Sequence, residues 1–139
     1  MNHASRIFTV RTPGPGLIDV TRGLSTFTAE VGARDGVLHL LCRHTSASLT
    51  IQENADPAVQ DDLETAMGRL APHNPALYTH GAEGQDDMPA HIRTVLSGVT
   101  LSIPIMGGAL TLGTWQGVYL WEHRDKPHRR EIAASLQFA

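Results

Sequence analysis

The residues best suited to chemistry lie in four polar stretches of the chain. The first, from His44 to Ser48, reads His-Thr-Ser-Ala-Ser. An imidazole that ends an apolar run can serve as an acid, a base or a metal ligand, and a short hydroxyl such as that of Ser46 can donate to phosphate oxygens. The simpler interpretation is a histidine hydrogen-bonded at the rim of the core, beside hydroxyls that cap the strand.

The second stretch, from Gln52 to Asp56, holds two carboxylates and two amides. Glu53 and Asp56 could bind a cation, or the amides of a following helix could meet an anion. Asp56 also has an ordinary interpretation, because an aspartate before Pro57 is a typical helix N-cap. Capping does not explain Glu53 and Asn54, which therefore stay candidates for a site.

The third stretch runs from His80 to His91, two histidines that bracket Glu83, Asp86 and Asp87. Imidazole with carboxylate is a normal ligand set for zinc or a harder divalent ion. The spacing matches no standard zinc pattern, so a solvated acidic loop is the alternative.

The fourth stretch begins at Gly113 and continues into a predicted strand. Alternation places Thr114, Gln116 and Glu122 on one face with apolar residues, and a polar side chain on such a face needs a partner or a ligand. Trp115 falls on the opposite face, and we expect it in the core.

The elements that must position these stretches are strands interspersed with helices. An apolar stripe at helical spacing predicts a first helix, Asp56-Pro57 opens a second, and Pro89 opens a short third that Gly98 ends. Strands are predicted at residues 7–11, 37–44, 46–52, 99–105, 110–112, 115–123 and 131–138. This order favours an α+β fold, a single domain over residues 1–139 with a mostly antiparallel sheet and two to three helices.

Composition excludes several classes of protein. The net charge of −3 and the pI near 6.2 indicate neither a nucleic-acid partner nor an anionic membrane surface. No run approaches the ~20 apolar residues of a membrane span. The single cysteine, Cys42, allows no internal disulfide, and the start of the chain has no signal-peptide pattern. We therefore expect a cytoplasmic protein.

Three segments in order carry a family resemblance. They are His44 to Pro57, Glu83-Gly84 leading through Asp86 or Asp87 to Ala90-His91-Ile92, and Gly108 to Gln116 closing on Leu120 and Glu122. Together they resemble the YjbQ family of secondary thiamine-phosphate synthases, with agreement in spacing from about Phe8 to Ile132.

The resemblance implies a compact α+β domain on a large, mostly antiparallel sheet that assembles as a homotrimer. It also implies a transferase that joins a pyrimidine pyrophosphate to a thiazole phosphate and releases pyrophosphate. The site residues that it implies are His44, Glu53, Asn54, His80, Glu83, His91, Thr114 and Gln116. The run from Gln85 to Pro89 departs from the family pattern, which leaves open whether Asp86 or Asp87 matters.

The residue types agree with such a reaction. His44, His80 and His91 could form a three-histidine zinc site, or the carboxylates of Glu53, Glu83 and Asp86 could hold Mg²⁺ or another divalent metal. Ser46 and Thr114 could donate to phosphate. Only Arg43 and Arg93 lie near these motifs as phosphate clamps, and this scarcity keeps two alternatives open. They are a trimer that binds metal or phosphometabolites without catalysis, and a metal-dependent hydrolase.

Overall fold

The computed structural model describes residues 1–139, which form eight strands and three α-helices. In chain order they are β1 (Asn2–Thr12), β2 (Gly16–Asp19), α1 (Thr21–Val31), β3 (Gly36–Cys42), β4 (Ala47–Glu53), α2 (Pro57–Leu70), α3 (Asp87–Ser97), β5 (Thr100–Met106), β6 (Ala109–Leu110), β7 (Gln116–Glu122) and β8 (His128–Phe138), with a short 3-10 turn at Pro75–Leu77.

The strands form two hydrogen-bonded sheets, and every strand pair is antiparallel. Five strands follow the order β1-β8-β3-β5-β6, and three follow the order β2-β7-β4. The chain passes between the two sheets several times, from the first to the second between β1 and β2, between β3 and β4, and between β6 and β7. The predicted α+β class, with a mostly antiparallel sheet and two to three helices, is confirmed.

The core lies between the two sheets because alternate residues of each strand point inward. From the five-stranded sheet come the inward rows of β3 and β8, and from the three-stranded sheet come residues of β4 and β7 such as Leu49 and Leu120. Leu24 and Phe27 of α1 pack into the same cluster. The inward rows of β3 (Leu38, Leu40, Cys42) and β8 (Ile132, Ala134, Leu136) are therefore buried.

The other two helices lie on the outer side of the three-stranded sheet. Asp56 caps α2 by accepting a hydrogen bond from the Ala58 N–H at 2.9 Å, as its position before Pro57 predicts. The Trp121 indole of β7 donates to Glu64 of α2. The Ser97 hydroxyl at the end of α3 lies 3.4 Å from the Leu49 carbonyl oxygen of β4. No helix of the protein has the length and apolar character needed to cross a membrane.

The prediction that Trp115 belongs to the core is wrong. Strand β7 begins one residue later, at Gln116, where it pairs with the last residue of β4. Trp115 therefore lies in the preceding turn, beyond the layer that would cover it, and is 65% exposed.

Candidate functional site

A loop and the first two turns of α3 bring together two histidines and an aspartate. His91 follows Asp87 by four residues, so both side chains lie on the same face of the helix. Asp87 Oδ2 lies 3.1 Å from His91 Nε2 and 2.6 Å from Nε2 of His80, which comes from the preceding loop. One ligand atom from each residue lies within 4.8 Å of the other two. We call this group the His-Asp-His cluster.

The hydrogen bonds of His91 indicate what the cluster is suited to hold. Its Nδ1 lies 3.0 Å from the Thr45 carbonyl oxygen, which can only accept, so Nδ1 carries a proton. In the neutral ring Nε2 then presents a lone pair to the Asp87 carboxylate. Two acceptors in contact repel unless a proton or a cation lies between them. A histidine whose second nitrogen donates to a carbonyl is also the usual arrangement of a metal ligand. The donor set therefore fits a divalent metal.

Arg124, two residues past β7, fixes the carboxylate of this cluster. Its Nη1 donates to Asp87 Oδ1 at 2.9 Å, which leaves Oδ2 for the histidines. Its Nε donates to Asp86 Oδ2 at 2.8 Å, and its Nη2 donates to the Glu83 carbonyl oxygen at 2.9 Å. The guanidinium thus ties the acidic loop to the end of the three-stranded sheet.

The two adjacent aspartates have different roles in this geometry. Burial alone would raise the pKa of Asp87, but the hydrogen bond with His80 and the charges of His91 and Arg124 hold it below its ordinary value. Against the same burial effect, Arg124 and the Asp125 N–H lower the pKa of Asp86 to about 2. Asp87 joins the histidines, whereas Asp86 faces Arg124 and the Asp125 backbone.

His44 is not part of the His-Asp-His cluster. It lies past the end of β3, where its Nε2 accepts the Glu131 N–H at 2.7 Å. Burial, assisted by the charge of Arg130, lowers its pKa, so the ring is neutral at pH 7. In the position that the sequence suggested for His44 as third metal ligand, the structure places Asp87.

A polar cavity of about 470 Å³ adjoins the cluster. Its lining consists of Cys42, Arg43, His44, Thr45, Ser46 and Arg130. Thr45 links the two places, because its carbonyl oxygen is the one that His91 contacts.

A buried ion pair between Arg130 and Glu122 lies next to this cavity. Arg130 donates from Nε to Glu122 Oε1 at 2.7 Å and from Nη2 to Oε2 of the same carboxylate. Its Nη2 also lies 3.0 Å from the Ser46 hydroxyl oxygen, and the Thr12 hydroxyl donates to Glu122 Oε1 at 2.7 Å. The requirement of a partner for Glu122 is therefore met, by an arginine that the sequence analysis did not single out.

The remaining predicted residues gather at the opposite end of the three-stranded sheet. Gln116 Oε1 accepts the Gly113 N–H at 2.8 Å, and Asn54 Nδ2 lies 3.4 Å from the Gln116 carbonyl oxygen. Glu53 accepts the Asp56 N–H at 3.1 Å, and Thr114 is exposed beside them. The β4–β7 register pairs Glu53 with Gln116 at this end and Ala47 with Glu122 at the other. At a strand rise of about 3.3 Å per residue the two ends lie roughly 20 Å apart.

The predicted site residues thus fall into two groups within one chain. His44, Ser46, His80 and His91 lie at the end of β4 that carries the His-Asp-His cluster. Glu83 lies there too, but it takes part through its backbone carbonyl. Sequence reasoning did not identify Arg124 and Arg130; the signal for Arg130 was the unpartnered Glu122 on a mixed strand face.

Comparison with known sequences gives consistent matches along the chain. The family model described as UPF0047 protein YjbQ-like matches residues 6–138. A UPF0047 protein of Synechocystis sp. is 47% identical over 126 residues, which cover 91% of this chain and 86% of that protein. The UPF0047 protein YjbQ of Salmonella typhimurium is 52% identical over 102 residues, 73% of each chain.

Solved structures agree with the fold. A crystal structure described as an uncharacterized conserved protein of the yjbq/upf0047 family, from Clostridium acetobutylicum, superposes with a TM-score of 0.87 at 33% identity and covers 95% of this chain and 99% of that one. A YbjQ-like protein of unknown function from Sulfolobus solfataricus also gives a TM-score of 0.87, covering 99% of this chain and 100% of that one. Its 18% identity supports the fold alone.

Proposed function

The chain belongs to the YjbQ-like UPF0047 family, and from that premise we propose that it is a metal-assisted transferase of the secondary thiamine-phosphate synthase type. It would join a pyrimidine pyrophosphate to a thiazole phosphate with loss of pyrophosphate. The observation that carries the proposal is the His-Asp-His cluster. Of the two metals that the sequence suggested, its two imidazoles and one carboxylate fit Zn²⁺ better than Mg²⁺, which prefers oxygen ligands. The substrate pair comes from the family resemblance.

In this proposal His80, Asp87 and His91 would hold the ion. A bound divalent cation would supply charge neutralisation for pyrophosphate, which gains an electron pair as its bond to the pyrimidine carbon breaks. The chain's own contribution is orientation. Arg124 holds the Asp87 carboxylate, and the Thr45 carbonyl oxygen fixes the ring of His91. The proposal also includes small phosphorylated ligands, a homotrimeric assembly and a cytoplasmic location.

A second candidate is a metal-dependent hydrolase of a phosphate or an amide. The hydrolase is favoured by the three protein ligands of the His-Asp-His cluster. Catalytic zinc sites typically have three protein ligands and leave a fourth coordination position open.

A third candidate is a metal- or phosphometabolite-binding protein without catalysis. It is favoured by the pairing of the nearby arginines, since Arg124 is paired with Asp86 and Asp87 and Arg130 with Glu122. Because these guanidinium groups are held by carboxylates, they are less able to move with a phosphate group during a reaction.

The test is formation of thiamine phosphate from both substrates by purified protein, with and without added Mg²⁺ or Zn²⁺. We expect metal-dependent product, a loss of at least about 100-fold in His80→Ala and His91→Ala, and no change in His73→Ala, an exposed loop histidine outside the cluster. Full activity in both cluster variants would refute the site. Saturable metal binding without product would favour the binding protein, and chelator-sensitive phosphate release would favour the hydrolase.

A further inference from the structure

We propose that the cavity beside the His-Asp-His cluster is an oxyanion subsite, which binds a phosphate or pyrophosphate group through His44 and the guanidinium groups of Arg43 and Arg130. The subsite deepens the proposed function by giving the phosphorylated substrate a place next to the cluster. Only the identity of the natural ligand rests on the proposed function; binding of an inorganic phosphate or pyrophosphate does not.

The lining of the cavity is selective for an anion. Two of its six residues are arginines, three more carry hydroxyl or imidazole groups that can donate hydrogen bonds, and none is acidic. Such a set matches phosphate oxygens, which accept several hydrogen bonds at once. The volume of about 470 Å³ leaves space for the group together with water.

His44 presents a donor whose identity its other hydrogen bond determines. Because Nε2 accepts the Glu131 N–H at 2.7 Å, the proton of the neutral ring is on Nδ1. No acceptor of the chain hydrogen-bonds that Nδ1–H. The β8 backbone therefore orients the imidazole as a donor at the wall of the cavity.

Arg130 contributes a preorganised cation. It is only 4% exposed, and its Nε and Nη2 are held by Glu122 and Ser46. Its Nη1 makes no hydrogen bond within the chain, which leaves that edge of the guanidinium for a ligand. A guanidinium already held in place loses little conformational freedom when an anion binds.

Arg43 supplies an adjustable cation at the mouth. It pairs with Glu131 at 3.1 Å, but both side chains are more than a third exposed. Exposed ion pairs contribute little to stability, so Arg43 can exchange the carboxylate for a ligand phosphate at small cost. The cavity thus combines one fixed cation, one movable cation and one neutral donor.

The experiment measures binding of inorganic pyrophosphate and inorganic phosphate by calorimetry, with EDTA present and at constant ionic strength, so that the metal cluster does not take part. We expect saturable binding with one site per chain. His44→Phe keeps an aromatic ring of similar shape but removes the Nδ1–H donor. It should weaken binding about 10-fold or more, which corresponds to about 1.4 kcal/mol. Arg43→Gln should weaken it several-fold. Arg129→Gln, which removes an exposed neighbouring arginine outside the cavity, should leave it unchanged.

Two results would overturn the subsite. One is the absence of saturable binding, and the other is an affinity in both cavity variants equal to that of Arg129→Gln. If His44→Phe does not fold, as judged by circular dichroism, Arg43→Gln decides alone. His91→Ala separates this proposal from the transferase, since it should abolish metal-dependent product while metal-free pyrophosphate binding persists.

Discussion

Asp87 is the residue on which the contacts of the candidate site converge. One carboxylate oxygen meets both histidines and the other is held by Arg124. The sequence leaves open whether Asp86 or Asp87 matters, because the run from Gln85 to Pro89 departs from the family pattern, and it predicts that the helix starts at Pro89. The helix begins two residues earlier, at Asp87, and this start places Asp87 one turn before His91. The exact first residue of a helix is what local sequence signals determine least well.

Arg124 should therefore influence metal affinity without contacting the metal. Loss of a partner that orients a ligand typically lowers metal affinity about 10–100-fold, and we expect a decrease of that size in Arg124→Gln. Zinc titration against a competing chelator measures it. Arg129→Gln is the matched control, since it removes the same charge from an exposed position. Equal affinities in the two variants would mean that Asp87 does not need Arg124 to be oriented.

His123 should make the protein sensitive to acid. Burial, together with the charges of Arg93 and Arg130, lowers its pKa to about 3 against the opposing effect of Glu122. In the unfolded chain a histidine takes up a proton near pH 6.5. The folded state does not take it up until about pH 3, so stability is complete above pH 6.5 and falls as the pH decreases toward 3.

The expected loss from this one group is about 2 kcal/mol of unfolding free energy between pH 7 and pH 5. Urea unfolding of the wild type and of His123→Gln at both pH values isolates it, because the carboxylates contribute equally to both proteins. The Gln variant also keeps an amide for Ser48, the present partner of His123 Nε2 at 2.8 Å. Parallel losses in the two proteins would contradict a neutral buried His123.

At the scale of elements, the sequence predicted what local patterns encode. The stripe of α1, the alternation of β3 and β8 and the Asp56-Pro57 start of α2 are all present. The Gly107-Gly108 turn has the positive φ values, 59° and 85°, that a tight hairpin requires. The sequence does not predict strand β2, because this short strand begins at the end of the Pro13-Gly14-Pro15-Gly16 run and is held by its pairing with β7. The polar first residues of β1 are likewise extended because they pair with β8.

The assembly of the candidate site was harder to predict than its residue types. The relevant neighbours come from elements far apart in the chain, such as Arg130 in β8 and Ser46 before β4. Their contact depends on sheet order and register, which no short motif encodes. For the same reason Glu53 and His44 appeared to belong to one site, although β4 separates them along most of its length.

The Glu122–Arg130 pair should be important for holding β7 and β8 together at the site. Removing one partner of a buried pair leaves an uncompensated charge and typically costs about 3–5 kcal/mol, which we expect for Glu122→Gln in urea unfolding. Glu131→Gln breaks the exposed Glu131–Arg43 pair instead and should cost at most about 1 kcal/mol. Similar losses of unfolding free energy in the two variants would show that burial does not determine how much each ion pair stabilises the protein.

At the scale of the whole molecule, one large surface lacks a covering layer. The outer face of the five-stranded sheet exposes Ile7 and Leu41 and lines a shallow cavity of about 620 Å³. Helices α2 and α3 cover only the other sheet. An uncovered apolar sheet face is compatible with the proposed homotrimer, for which sedimentation should give a mass about three times the 15.0 kDa of the chain.

In such a trimer the two groups of predicted residues, roughly 20 Å apart within one chain, could meet across a subunit boundary. In a cyclic trimer each subunit contacts its two neighbours through two different surface patches, and we expect the two ends of the three-stranded sheet to lie at these two boundaries. We therefore expect His91→Ala and Glu53→Ala, each inactive alone, to complement one another after joint unfolding and refolding. Each remaining intact site would take its cluster from one chain and Glu53 from its neighbour.

Random mixing at equal amounts predicts that about a quarter of the sites regain both groups, measured as metal-dependent product relative to wild type. The mixture of His91→Ala with His80→Ala is the control, because both substitutions damage the same end and no intact site can form. Recovery in the first mixture alone would place the site between subunits. Absence of recovery in both, with mixed trimers confirmed by mass, would mean that the His-Asp-His cluster and Glu53 do not act together across a subunit boundary.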